Sequence, residues 1–160
     1  DEICNLMDIG PTLVDLAGAA PLPRTDGHSL WRVLQEQKDD RRPGETFSEH
    51  GPTRGEAPSR MIRRGRWKLY KYADDTPPVL FDLIDDPDEL HDRAGDPALA
   101  ELRQQLLRAL YLDWDPDFVR RDCERQAQDM ALLSAWGAAV EPAHEDTLPV
   151  PEGAEQIERR

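Results

Sequence analysis

The chain has 160 residues, which fits one ordinary domain, and 38% hydrophobic against 33% charged residues give limited material for a core. Its net charge of -13 excludes general nucleic-acid binding, which needs a basic footprint, and no apolar run is long enough to cross a bilayer. The first residue is Asp1 and no basic-then-apolar leader follows, so a chain cut from something longer, or one with its beginning removed, is expected.

In chain order, Leu13, Leu16 and Ala17 form a stripe behind Pro11, and Gly18 is suited to a helix stop, which predicts a short helix over Pro11–Ala17. Ile3–Asp8 is open between strand, loop and helical turn. After a proline-containing loop, Ser29 is a candidate cap for a second short helix ending at Leu34 or Gln35. Gln35–Pro43 is polar and charged and reads as an exposed loop. Thr46–His50 is a strand candidate.

Met61–Arg64 and Trp67–Ala73 alternate with period two about Gly65-Arg66, predicting a half-buried hairpin. Pro77-Pro78 interrupts it, because proline lacks the ladder donor, and Val79–Leu83 resumes as a third short strand. Asp96-Pro97 is a cap-plus-proline helix start, followed by Leu99, Leu102, Leu106 and Leu110 at spacings of three and four. Asp115-Pro116 repeats the device, predicting an outer helix to about Leu133 that Trp136-Gly137 terminates. Val119, Cys123, Ala127 and Met130 lie on its packed side. Glu141–Arg160, with three prolines and six acidic residues, is expected to be disordered or extended. The fold class is α+β: a small antiparallel sheet packed against a long helix, with an extra C-terminal helix and an acidic tail.

The residues alone assemble no complete active site. Asp82, Asp85, Asp86 and Asp88 lack the glycine and final glutamate of an EF-hand loop and suit turns and caps better than calcium. Glu49-His50 would be an acid–base pair only at a bend or strand end, since neighbours on a strand face opposite ways. His28, His50, His91 and His144 have no metal-site spacing, and no serine sits in a nucleophile elbow. Arg60, Arg63, Arg64, Arg66 and Lys68 are either a solvated hairpin face or a rim for an anionic substrate. Trp67, Tyr70 and Tyr72 pack the hairpin or stack on a ligand. Cys4 and Cys123 are too isolated for a disulfide framework or a CxxC site, which favours a reducing cytoplasmic location.

Six segments in order resemble the C-terminal part of the sulfatase family, within the alkaline-phosphatase-like superfamily. They are MDIGPTLVDLAG (Met7–Gly18), DGHSLWRVL (Asp26–Leu34), TFSEH (Thr46–His50), MIRRGRWKLYKY (Met61–Tyr72), LFDLIDDPDELHDRAGDP (Leu80–Pro97) and LRQQLLRAL (Leu102–Leu110). Tyr111–Gln126 is similar to the tail of bacterial members related to choline sulfatase and phosphonate monoester hydrolase. The resemblance implies that residues 1–35 belong to, or link to, a large α/β domain. It makes residues 36–112 the smaller C-terminal subdomain, 113–140 an outer helix and 141–160 a tail.

Sulfatases hydrolyse sulfate esters with a formylglycine, made in a C/S-x-P-x-R motif, and a divalent cation such as calcium or manganese. No such motif occurs here, and the family's metal-binding aspartates have no counterpart, so the resemblance assigns no catalytic and no metal residue. It makes His50, Arg60 and Arg63 candidates for lining a substrate entrance for a small anionic ester. The implied function is that of a C-terminal fragment of a sulfuric ester hydrolase, inactive without its catalytic half. The alternatives are a free-standing structural or interaction module and a fragment of a phosphonate or phosphate monoester hydrolase. A catalytic-half chain or a second copy is the expected partner, through an exposed sheet edge and Leu13, Leu16 and Trp31; neither nucleic acid nor membrane is.

Overall fold

A computed structural model describes residues 2–52 and 56–140; the predicted tail, with His144, lies outside them. A 3-10 turn at Leu6–Asp8 leads into helices α1 (Ile9–Leu16) and α2 (Trp31–Leu34). Strands β1 (Glu45–His50), β2 (Ser59–Arg64), β3 (Trp67–Tyr72) and β4 (Val79–Asp82) follow, then a 3-10 turn at Pro97–Leu99, α3 (Ala100–Tyr111) and α4 (Pro116–Val140). The chain divides into two units, one ending at Cys123 and one starting at Glu124.

The strands form an antiparallel meander in the order β1-β2-β3-β4. Gly65 takes φ +58 in the two-residue turn between Arg64 and Trp67, a backbone region that favours glycine. The register puts Phe47, Ile62, Leu69 and Leu80 on one face, since directly paired residues share a side. Leu106 and Leu110 of α3 pack onto that face, and with Ile62, Leu69 and Leu80 they are fully buried; Trp114 and Ala94 complete the core. The α+β class therefore holds.

Helix ends follow their local chemistry. Asn5 caps the first turn by accepting from the Met7 amide, and Asp8 closes the box by accepting from the Asn5 amide. This moves the start of α1 back to Ile9 from the expected Pro11. Gly18 at φ +61 ends α1 with the paired bonds Ala19 N to Val14 O and Gly18 N to Asp15 O. Asp96 accepts from Ala98 N, and Asp115 accepts from Asp117 N and Phe118 N. Ser29 accepts from Trp31 N, so α2 begins later than expected, at Trp31.

Three expectations need correction. Trp136-Gly137 does not end α4, which continues to Val140, because Gly137 keeps clear of the left-handed φ of a helix stop and the helix-favouring Ala138 and Ala139 follow it. Val119 and Cys123 are partly covered, but Ala127 and Met130, the continuation of the expected packed side, are exposed. Arg42, assigned to an exposed loop, has a side chain only 3% exposed.

Arg42 ties the N-terminal helices together. Its guanidinium donates to the carbonyls of His28 (2.6 Å), Ser29 (3.1 Å) and Ile3 (3.0 Å) and to Asp8 Oδ2 (2.8 Å). Asp8 also accepts from His28 N at 2.8 Å. The two segments approach so closely at Gly27 that a Cβ there would lie 2.0 Å from the Met7 carbonyl oxygen. Burial pushes the Asp8 carboxyl up, but Arg42 and the amides of His28 and Asn5 outweigh it and hold the group below its ordinary 3.8.

Replacing Leu106 by alanine is expected to destabilise the protein by about 2–5 kcal/mol, measured by urea unfolding, as the deletion leaves a cavity against the sheet. Gly27→Ala is expected to cost about 1–3 kcal/mol by the same measurement, because the new methyl meets backbone that cannot rotate away. Asp8→Ala strands the Arg42 charge and is expected to cost about 3–5 kcal/mol at neutral pH. With its pKa depressed in the fold, the Asp8 contribution is complete above its unfolded value and is lost as pH falls through the folded one. Unfolding curves of wild type and Asp8→Ala should therefore converge as pH drops below about 3.8.

Candidate functional site

A cavity of about 450 Å³ opens beside this tie, where the N-terminal turn meets the sheet. Asn5 sets its floor: its side-chain amide donates to Thr46 Oγ1 at 2.8 Å and to the Phe47 carbonyl at 3.2 Å, fixing the turn to the outer edge of β1. Asp8, Arg42, Arg60 and Asp113 supply charge. Arg60 is buried (9% exposed) and donates to the Leu110 carbonyl (2.9 Å) and Asp113 Oδ1 (2.6 Å), while its guanidinium carbon lies 4.5 Å from the Phe47 ring centre. A cation at the C-terminal end of α3 complements the carbonyl dipoles there. Arg60 in turn holds the Asp113 carboxyl below the usual carboxylate range. The Nε atoms of Arg42 and Arg60 are buried and make no hydrogen bond among the described residues, although Arg42 Nε lies 3.4 Å from Glu2 Oε1. The cavity offers polar contacts to a ligand but no nucleophile held against a base.

The three entrance candidates do not form one site: His50 and Arg60 border one open surface, and Arg63 lines a different cavity. Arg60 and Arg63 are three apart on β2 and so project to opposite faces of the sheet. Arg60 is engaged between the sheet and α3. Arg63 lines a separate cavity of about 510 Å³ with Arg66, Gly44 and Ile84. His50 sits exposed at the end of β1, 4.0 Å from Glu56, beside an open surface that Arg60 also lines, with Met61, Lys68, Tyr70 and Tyr72. Glu49 turns the other way, to 3.9 Å from Arg60, so Glu49 and His50 form no acid–base pair.

The acidic run has turn duties. Asp82 takes a bidentate contact from Arg66 at 2.6 and 2.5 Å, and Asp86 accepts from the Leu90 and His91 amides. Both carboxyls lie below their ordinary range, Asp82 chiefly through Arg66 and Asp86 chiefly through the His91 amide. Among the described residues no group of three His, Cys, Asp or Glu is placed to hold a metal ion, and no helix is long and apolar enough to cross a membrane. With no C/S-x-P-x-R in the sequence, these residues do not fit a formylglycine and its cation.

Sequence reasoning missed Asp8 and Arg42 as a unit. They are 34 positions apart, and Arg42 lies in a loop whose composition reads as solvated. The only sequence signal available was that Asp8 and Gly27 both fall inside family-like segments.

Comparison with known proteins accounts for this pattern. The family described as N-sulphoglucosamine sulphohydrolase, C-terminal, matches residues 1–113. Mouse arylsulfatase K is 36% identical over 118 residues, 68% of this chain and 21% of its own length. The crystal structure of a putative sulfatase from Bacteroides thetaiotaomicron superposes with a TM-score of 0.60 at 32% identity, over 66% of this chain and 23% of that one. Phosphonate monoester hydrolase of Agrobacterium radiobacter gives 0.56 at 27% identity, over 69% and 24%. The chain thus spans about a fifth of the length of the curated relatives it matches, and the family model it fits describes a C-terminal region. By these matches the chain belongs to the sulfatase C-terminal domain family, within the alkaline-phosphatase-like superfamily.

Proposed function

We propose that the chain is the C-terminal domain of a sulfuric ester hydrolase whose nucleophile and metal cage lie outside these residues. The observation that carries this reading is the family match over residues 1–113, joined to a sequence without the formylglycine motif. The whole enzyme would use a formylglycine and a divalent cation, calcium or manganese, to hydrolyse a small anionic sulfate ester. Such a site stabilises charge developing on the transferred group and its oxygens. In it, residues 1–35 join the catalytic portion, 36–112 form the sheet subdomain and 113–140 the outer helix. His50, Arg60 and Arg63 remain the proposed entrance residues. Arg63 is the best placed of them, on the rim of its own cavity, while Arg60 acts by holding Asp113 and α3.

The exposed Leu13 and Leu16, 57% and 56% accessible, form the proposed contact with the catalytic portion, and apolar side chains left open in this way promote association. Two free cysteines support a reducing cytoplasmic location. The structural likeness to a phosphonate monoester hydrolase supports a second reading, hydrolysis of a phosphonate or phosphate monoester by the whole enzyme.

The purified 160-residue chain is expected to give no turnover of aryl sulfate, aryl phosphate or aryl phosphonate esters, with calcium or with manganese. Metal-dependent turnover that co-purifies with the chain and survives removal of contaminating hydrolases would overturn the assignment. Full-length enzyme carrying Arg63→Ala is expected to show a KM for its ester raised about tenfold with kcat little changed, the signature of a residue that attracts substrate without joining the chemistry.

A further inference from the structure

Residues 2–42 bury almost nothing. Among them only Asp8 and Gly27 are buried, and no residue before Phe47 packs on the apolar core. The segment is nevertheless well connected within itself. His28 N donates to Asp8 Oδ1 at 2.8 Å and Leu30 N to Thr12 Oγ1 at 2.8 Å, which joins the α1 turn to the approach to α2. Arg42 reaches the carbonyls of Ile3, His28 and Ser29, and Gly27 lies against the Met7 backbone. All of these partners lie inside residues 2–42, so the segment is one arm held together by polar bonds.

Its attachment to the sheet is narrow. Among the described residues, the hydrogen bonds that cross from the arm to the strands come from one side chain, Asn5, whose Nδ2 donates to Thr46 Oγ1 and to the Phe47 carbonyl. The arm's ion pairs, among the described residues, stay within it. Both cavities described above lie along the same seam. That of about 450 Å³ has Asn5, Asp8 and Arg42 on the arm side and Phe47, Arg60 and Asp113 on the other. That of about 510 Å³ has Glu2 and Ile3 facing Arg63 and Ile84. The chain crosses the seam at Pro43-Gly44, where a Cβ on Gly44 would meet no atom within 4 Å, so this backbone has room to turn.

We propose that residues 2–42 swing as one body about Pro43-Gly44, with Asn5 as the latch that holds the arm against β1. A segment with few buried apolar contacts opens at low free energy, and the internal ties keep this one intact while it does. Opening widens both cavities together. Taken with the reading above, in which residues 1–35 join the catalytic portion and Arg63 attracts the ester, the same swing would set how far the sheet subdomain stands from that portion. That extension rests on the sulfatase assignment; the hinge itself does not.

Pulsed electron–electron double resonance on the 160-residue chain, with Cys4 and Cys123 replaced by serine, tests the hinge. Nitroxides on Leu16→Cys and Leu90→Cys span the seam, those on Leu16→Cys and Leu34→Cys lie within the arm, and those on Leu90→Cys and Leu112→Cys lie outside it. The four native side chains are between 56% and 87% exposed, so labels are tolerated there. The latch is broken by Asn5→Asp with Thr46→Val. The aspartate keeps an acceptor for the Met7 amide but has no N–H for β1, and the valine removes the hydroxyl that could donate to it. The longer-distance population of the Leu16–Leu90 pair is expected to rise at least about tenfold, while both internal pairs keep their distances and circular dichroism is unchanged. A Leu16–Leu90 distribution that is the same with and without the latch would overturn the proposal. So would broadening of the Leu16–Leu34 pair alongside it, since the arm would then be unravelling rather than swinging. No substrate enters the measurement, so failure of the sulfatase assignment would leave the hinge standing and remove only its link to the ester.

Discussion

The N-terminal third of this protein depends on one guanidinium. Helices α1 and α2 are too short to be stable alone and bury no residue between them. Arg42 compensates with donors in a rigid fork that reach three backbone carbonyls and a carboxylate, drawn from the entering chain, the first turn and the loop before α2. A lysine would offer a point charge and could not satisfy the same set. Gly27 makes the arrangement sterically possible, and Asn5 joins it to the sheet. Polar chemistry replaces a hydrophobic core here, consistent with the limited apolar content of the sequence.

Arg60 serves the other half of the domain in a similar way. It crosses from the sheet to the end of α3, neutralises Asp113 and lies against Phe47. Arg66 clamps Asp82, and Lys68 holds both carboxylate oxygens of Glu89. The basic run on the hairpin, which in sequence looks like one patch for an anion, is distributed over two faces and largely consumed by the chain's own acids. Among the described residues, Arg63 is the member whose buried Nε finds no acceptor. A structural role for most of a charge cluster is what an acidic protein with a small core would be expected to show.

How much was legible in the sequence follows from the range of each interaction. Gly18, Gly65, Asp96 and Asp115 act on backbone within a few residues, and each is legible in the sequence. The leucine stripe of α3 was legible because its period matches the helix, and the alternation of Ile62 and Leu69 because it matches the strand. The ties Asp8–Arg42 and Arg60–Asp113 join residues 34 and 53 positions apart, and no local pattern marks either end. The end of α4 escapes the sequence for a different reason. Tryptophan followed by glycine looks like a stop, yet a glycine terminates a helix only when the backbone turns left-handed, and Gly137 does not. The entrance residues were chosen by family position, which fixes a strand but not the face a side chain takes.

Leu80, in the last strand, bears on how the domain can join other proteins. Its amide donates to Asp92 Oδ1 at 3.0 Å and its carbonyl accepts from Arg93 N at 2.8 Å, so the loop after β4 stands in for a fifth strand. On the opposite side, Asn5 occupies the Phe47 carbonyl of β1. The expectation of a bare sheet edge therefore does not hold at these positions. Templated addition of a foreign strand, the usual hazard of a small open sheet, is obstructed at Leu80 on one margin and at the Phe47 carbonyl on the other. At these positions the backbone is already engaged, so what the two margins offer a neighbour is side chains rather than ladder hydrogen bonds.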